Sequence, residues 1–494
     1  MPETISGSAW QVPRFSLEEI ITATGGRCEA AGATEGAAAE ASRAAGAPVF
    51  TGVCTDSRKV VGGEVFFALV GPTFDGHDFA AEAVAKGARG VVASSSDKVA
   101  GLARSVPVVL VDDTLKALHR LARYNRCRLG IPVVAVTGST GKTTTKDMAH
   151  SIFMERMRSA RTEENFNNEV GVPLTLLSLE PRHEICVVEL GMRGRGQIRD
   201  LAEIARPDVG IVTNVGPSHV ELLGSIENVA LAKAELVEAL GPDGIAVLNA
   251  DCEYTAAMKE RTLAKVVFFG IERDADVRAT DIEGLGENGT RFTMSYGQRS
   301  FRVHVPVPGI HNVYNALAAG ASALVMGVDS FAVVDGLSRF EPSHGRSGIV
   351  ETTRGFTVID DTYNANPASM RAALATLREV AGGRRKIAVL GNMLELGEIS
   401  AEAHRELGRA TVAHRCDMLV TVGNLARLAG EEALRLGRSP RDVIMCDTSA
   451  EAVDVLERLA RPGDVILVKG SRAMRMEEIV SALVGGNGGG SGDS

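Results

Sequence analysis

The stretch IPVVAVTGSTGKTTTK, Ile131 to Lys146, decides how the chain reads. Ile131 to Thr137 is apolar and rich in β-branched residues, the pattern of a strand buried on both faces. Gly138 and Gly141 break the run, and Lys142 and the threonines Thr143 to Thr145 follow. A helix is then expected over Lys146 to Met157. Strand, glycine-bearing loop, Lys-Thr and helix is the layout of a loop that cradles phosphate. Glycines let backbone N–H groups close around phosphate oxygens, and the helix N-terminus adds partial positive charge. Gly138, Ser139, Thr140, Gly141 and Thr144 would line such a cradle. Lys142 would reach the β- and γ-phosphates of ATP, and the Thr143 hydroxyl would face Mg²⁺. The stricter form of the motif has glycine where Val136 stands. The plainer reading is a tight strand–helix turn with a surface lysine.

Working outward, 494 residues exceed one ordinary core, and about three domains is the expectation from length. Abundant glycine and alanine with few aromatics suit an α/β protein. A net charge of −9 gives no nucleic-acid footprint. The seven cysteines are scattered without a CxxC pair, which argues for reduced thiols rather than a zinc ribbon or disulfide framework. No apolar run reaches membrane-spanning length, so no membrane insertion is expected. MPETISGSAW lacks the features of a secretory leader, and a cytoplasmic location is expected.

Upstream of the loop, residues 14 to 27 suggest a short helix ending at Gly25-Gly26. Residues 29–47 are low in complexity and read as an expanded surface loop. A small α/β domain follows, with strands over Glu64–Leu69 and Gly90–Ala93 and helices over Phe79–Lys86 and Leu115–Arg128. Thr55-Asp56-Ser57-Arg58 and Asp75-Gly76-His77 gather hydrogen-bonding groups, for which turn and capping chemistry is the plainer reading. The first boundary falls at Gly130–Pro132. Downstream, strands over Ile185–Leu190, Val209–Val215, Ile245–Asn249 and Lys265–Gly270 alternate with helices, as in a mostly parallel sheet. Residues 277–307 alternate and turn as antiparallel hairpins do. His311–Met326 reads as a helix with a small, apolar face. A third alternation runs from Phe356 to Val468 without a phosphate loop. The expected domains are 1–130, 131–343 and 344–485, with a disordered tail over 486–494.

Open α/β sheets bind ligands at the carboxyl ends of their strands. Glu189 stands near one such end, and His219 follows the end marked by Thr213-Asn214. A carboxylate and an imidazole beside triphosphate would suit Mg²⁺. The plainer readings are a helix cap and a loop histidine. Glu163 to Pro173 says only cap and loop.

The chain resembles the Mur ligases, ATP-dependent enzymes that form amide bonds in peptidoglycan synthesis. The resemblance rests on TGSTGKTTTK (137–146), NFNNEVGVPLT (165–175), VVELGMRGRGQI (187–198), TNVGPSHVELLGS (213–225), LAKAE (231–235), PGIHNVYNALAA (308–319) and GRSGIVE (345–351). It implies an N-terminal α/β domain that holds UDP, a central P-loop ATPase-like domain and a C-terminal Rossmann-like domain. By the same resemblance Ser57, Arg58, Asp75, Gly76 and His77 hold the UDP moiety. Asn312 contacts adenine, with His311 and Asn315 beside it. Arg346 reaches phosphate, and Asp361, or alternatively Asp360, is the carboxylate near the ribose or hinge. Mg²⁺ is implied at Thr143 and Glu189, and a second ion at His219 and a carbamylated Lys233. Taken alone, Lys233 in a helix is ordinarily a solvated charge.

Three further stretches, DDTYNANPASMRAAL (360–374), LGNMLELGEISAEAHRELG (390–408) and VKGSRAMRMEEIV (468–480), resemble the member that adds D-alanyl-D-alanine to UDP-N-acetylmuramoyl-tripeptide. Asn364, Asn366, Lys469, Ser471 and Arg472 would then meet the dipeptide. Asn392 stands where that member usually has Asp. A monomer is expected. The competing readings are the tripeptide-forming sibling, whose DYAH- or DNPR-type motif is missing here, a folylpolyglutamate synthetase-like ligase, which the Ser57-Arg58 and Asp75-Gly76-His77 loops argue against, and a nucleotide-dependent switch without synthesis.

Overall fold

The computed structural model describes residues 13–29, 48–163 and 166–485. Most of the low-complexity stretch, the glycine-rich tail and the first twelve residues lie outside these, as do 164 and 165 within the asparagine-rich stretch. The chain divides into two compact units. The first comprises residues 1–133, 158–190 and 199–207, and the second comprises 134–157, 191–198 and 208–494.

The first unit carries a five-stranded sheet in the order Arg27–Glu29, Val108–Leu110, Gly90–Ala93, Val65–Phe67, Val53–Cys54. Only its first pair is antiparallel. Phe66, Ala68, Val91, Ala93, Val108 and Leu110 pack with Ala80 and Ala83 of the helix Ala80–Ala85 into one buried cluster. The short N-terminal helix is Leu17–Thr24, set by a Ser16–Glu19 capping box and stopped by Gly25 at φ 71°. The helix Thr114–Leu129 starts where Asp113 caps two amides and ends at Gly130, also left-handed. Its buried face is tied down by Asn125 Nδ2 to the Leu176 carbonyl at 2.8 Å and Arg126 Nε to the Ala205 carbonyl at 3.1 Å. Ser159–Arg161 and Ile185–Glu189 form a parallel pair.

In the second unit, strands run in the order Arg299–Val305, Thr290–Tyr296, Val277–Gly284, Lys265–Gly270, Ile245–Asn249, Val209–Val212, Val133–Thr137. The members from Val133 to Gly284 are parallel, and the last two add the expected antiparallel hairpins. The helices Lys142–Met154, Ile310–Val325 and Ser330–Ser338 pack on one another. A second sheet follows in the order Gly348–Glu351, Thr357–Asp360, Val465–Lys469, Lys386–Gly391, Met418–Val422, Val443–Cys446. It is parallel except for its first pair. Separate buried clusters, one around Leu374, Leu390 and Leu407 and one around Val389, Leu456 and Ile479, cover its faces, as a doubly covered sheet requires. At the edge between the two sheets Glu287 accepts from Arg384 at 2.6 Å and from Thr357 at 3.0 Å.

All seven cysteines are free thiols. Among the described residues no helix is long and apolar enough to cross a membrane.

Candidate active site

The phosphate-loop helix begins at Lys142, not at Lys146 as the sequence suggests. Gly141 sits at φ 79° as its N-cap, so the turn is complete one residue before the lysine. The early start aims the helix's first amides at the loop. The carboxyl end of the adjacent strand pins that loop. Ser139 N donates to the Asn214 carbonyl at 3.0 Å, Thr140 N to Asn214 Oδ1 at 3.0 Å, and Thr213 Oγ1 to the Thr140 carbonyl at 2.6 Å. Ser139 Oγ donates to the Gly216 carbonyl at 3.0 Å and accepts from Gly216 N at 2.9 Å. A methyl group on Gly138 would collide with Thr213 Oγ1, and one on Gly141 with Asn315 Oδ1. The curved backbone is therefore built without help from a ligand. Lys142 Nζ donates to the Gly138 carbonyl at 3.0 Å, and Thr143 is 4 % exposed.

His219 adopts a left-handed backbone, φ 57°, just before the helix Val220–Leu223. Its Nδ1 lies 2.8 Å from Glu395 Oε2. Burial lowers the proton affinity of the imidazole, and the Lys142 ammonium lowers it further against the pull of Glu395. Lys233, on the helix Ile226–Glu238, is 2 % exposed. The solvated-lysine reading fails, because the lysine lies on the same buried face as Val229, Leu236 and Val237. Burial, then repulsion from Lys142, holds its proton affinity well below the ordinary lysine range.

The helix Ile310–Val325 brings up the asparagines. Thr145 Oγ1 donates to Asn315 Oδ1 at 3.3 Å, Asn315 Nδ2 to Asn312 Oδ1 at 3.1 Å, and Asn312 Nδ2 to the Pro308 carbonyl at 2.8 Å. Asn312 is thereby linked to the phosphate-loop helix through one intermediate side chain. Beyond it, Lys469, 3 % exposed, pairs with Asp361 at 2.7 Å and donates to the Asn364 carbonyl at 2.8 Å. Asp360 points into the protein, accepting from Thr362 Oγ1 at 2.6 Å. The Arg346 guanidinium stacks 3.9 Å from the centre of the Tyr363 ring, and Arg472 approaches the same ring at 5.8 Å. Asn366 caps the helix Pro367–Ala381, and Ser471 Oγ accepts from Leu394 N at 2.9 Å.

In the first unit the turn chemistry expected of the two polar loops is present. Asp56 caps the short turn Ser57–Lys59 and chelates the Arg58 guanidinium through both oxygens at 2.9 Å. That bond holds the Asp56 carboxyl down at about 2. Ser57 Oγ donates to Glu82 at 3.1 Å. Asp75 caps the turn at Gly76 and binds His77 Nδ1, while His77 Nε2 accepts from Ser94 N at 2.9 Å. His77 is thus a buried pin between two loops. Glu189, 2 % exposed, accepts from Asn167 Nδ2 at 2.8 Å.

Sequence reasoning missed Glu395, Arg193 and Tyr363. All three lie inside quoted stretches, yet nothing local marks their partners. Among the described residues no three His, Cys, Asp or Glu side chains gather as a metal cage. Mg²⁺ commonly takes one or two protein ligands and completes its shell with phosphate and water. The Thr143 hydroxyl beside a glycine cradle with no room for a Cβ fits a Mg²⁺-nucleotide on those terms.

Family models agree with this architecture in three segments. They are the "Mur ligase family, catalytic domain" over residues 49–126, the "Mur ligase middle domain" over 136–323 and the "Mur ligase, glutamate ligase domain" over 345–472. The chain belongs to the Mur ligase family. It is 36% identical over 436 residues to the UDP-N-acetylmuramoyl-tripeptide–D-alanyl-D-alanine ligase of Bacillus subtilis, covering 88% of this chain and 93% of that one. Its structure resembles that of MurF from Acinetobacter baumannii, with a TM-score of 0.85 and 32% identity over 96% of this chain and 100% of the other. It also resembles MurF ligase from Thermotoga maritima in complex with ADP, with a TM-score of 0.75 and 29% identity over 88% and 97% of the two chains.

Proposed function

We infer that the protein is an ATP-dependent ligase that joins D-alanyl-D-alanine to UDP-N-acetylmuramoyl-tripeptide, giving the pentapeptide precursor of peptidoglycan. The observation that carries this reading is the pre-shaped phosphate loop with Lys142 at its helix start, in a chain matching ligases of that name over nearly their whole length. The chemistry follows from charge. A carboxylate is a poor acceptor for an amine because it is anionic and lacks a leaving group. Transfer of the γ-phosphoryl group to the substrate carboxylate makes an acyl phosphate. The dipeptide amine then attacks the carbonyl carbon, the C–N bond forms, and the C–O bond breaks with its electron pair leaving on phosphate. The amine gives up its proton.

The protein's work is positioning and neutralising charge. Lys142 and Arg346 offset the negative charge of the transferred group. Gly138 to Thr144 hold the phosphates, Asn312 the adenine and Asp361 the ribose side. Ser57, Arg58, Asp75, Gly76 and His77 serve the UDP moiety, and Asn364, Asn366, Lys469, Ser471 and Arg472 the dipeptide. Asn366 and Lys469 would act from positions fixed by their own hydrogen bonds. Thr143, Glu189, His219 and Lys233 are the residues that would hold Mg²⁺, which supplies charge neutralisation on phosphate oxygens. The low proton affinity of Lys233 supports its carbamylation, since only a neutral amine attacks CO₂. We further propose domains over 1–130, 131–343 and 344–485, a cytoplasmic location and a monomer. The test is product formation from ATP, UDP-linked tripeptide and dipeptide. Omission of any one should abolish the pentapeptide product, and a purified protein that makes none would overturn the reading.

A further inference from the structure

Two residues with side chains adopt left-handed backbone and face one another: His219 at φ 57° and Glu395 at φ 61°. Such strain persists only where the surroundings impose it, and it concentrates at functional sites. The Glu395 carboxylate approaches His219 Nδ1 to 2.8 Å with one oxygen, an ion-pair distance without hydrogen-bond alignment, and accepts from Arg193 Nη2 at 3.3 Å with the other. The loop bearing Glu395 closes on the segment after His219 almost backbone to backbone. A Cβ placed on Gly397 would stand 3.2 Å from the Glu221 Cα.

The other side of the loop reaches different chemistry. Leu394 N donates to Ser471 Oγ at 2.9 Å, and Ser471 N donates to the Asn392 carbonyl at 3.0 Å. Met393 N donates to the buried His404 Nε2 at 3.0 Å. Glu395 therefore stands between the His219 segment, which follows the strand end that pins the phosphate loop, and the Ser471 turn assigned to the dipeptide.

We propose that Glu395 is a positioning residue for the second half of the ligation. By bridging His219 and Arg193 it holds residues 392–397, and through them the Ser471 turn, against the phosphate-loop side. The acyl phosphate then meets the dipeptide amine before it meets water. If water attacks instead, a C–O bond forms, phosphate leaves with the electron pair of the broken bond, and the original carboxylate returns with ATP spent. This inference rests on the ligase reading above and adds a residue that governs its coupling.

The experiment measures phosphate released per peptide bond formed. The wild-type protein should stay near one. Glu395→Ala should release excess phosphate by at least about threefold and raise the dipeptide KM more than it lowers acyl-phosphate formation. Arg193→Ala, whose side chain is 76% exposed, should shift the ratio the same way by less. Hydrogen exchange without substrates provides a second readout. Glu395→Ala should lose amide protection over 392–397 while the helix Ser400–Ala413 keeps its own. An unchanged ratio with unchanged exchange overturns the proposal, as does an equal fall in both half-reactions. A wild-type protein that makes no peptide strikes the ligase reading instead, and the exchange measurement still reads the bridge by itself.

Discussion

Lys142 Nζ donates to the carbonyl of Gly138, the residue that opens its own loop, at 3.0 Å. The ammonium is thus held within the loop itself. Lys142→Ala should cut acyl-phosphate formation on the order of 10³-fold. Its melting temperature should stay near that of wild type, because the loop is pinned by Asn214 and Gly216 rather than by the lysine. Near-normal turnover in the folded variant would remove the lysine from the mechanism.

Lys233 invites a rescue experiment. Lys233→Ala should nearly eliminate ligation, and a small carboxylic acid in the buffer should restore part of it by supplying the oxygens that a carbamate on Lys233 would provide. A carbamate falls apart in acid, so rescue is a better probe than intact mass. Full activity without added acid would show that the buried amine has only a packing role.

The strand–loop–helix at the phosphate site, the parallel alternation and the hairpins over 277–307 were all legible, because each is written in a local period. Helix starts shifted where one backbone angle decides the matter, as Gly141 does for Lys142. The burial of Lys233 was not legible, since a helical pattern shows which face is apolar but not how deeply the helix sinks. Pairings between distant segments were equally silent. Glu395 with His219, and Arg346 on Tyr363, depend on how loops from different strand ends converge. No spacing rule encodes that convergence.

Asn392 was the one departure from the resembled pattern, and the structure explains why it is tolerable. Its Oδ1 accepts from Leu425 N at 3.1 Å and Ala426 N at 2.8 Å, a task an aspartate performs equally well. Only its Nδ2 bond to Asn424 Oδ1 is amide-specific, and that oxygen keeps the Leu425 N–H at 2.9 Å when the bond is lost. Asn392→Asp should keep kcat within about threefold of wild type. A larger loss, measured with melting temperature unchanged, would mean that the charge itself matters here.

Acid stability should depend on Glu432. Arg435 and Arg409 grip its carboxylate and hold its pKa at about 2. An unfolded glutamate titrates near ~4.3. The contribution is fully present above that value and is lost as pH falls from there through about 2. Glu432→Gln should therefore lower the denaturation midpoint at pH 7, and the gap from wild type should narrow progressively below about pH 4. A gap independent of pH would contradict the linkage.

The Thr145–Asn315–Asn312 chain has a consequence for fidelity. On the reading that Asn312 holds the adenine, a mismatched base would press on a side chain two hydrogen bonds from the helix that presents Lys142. Discrimination among nucleoside triphosphates would then fall on catalytic turnover as well as on occupancy.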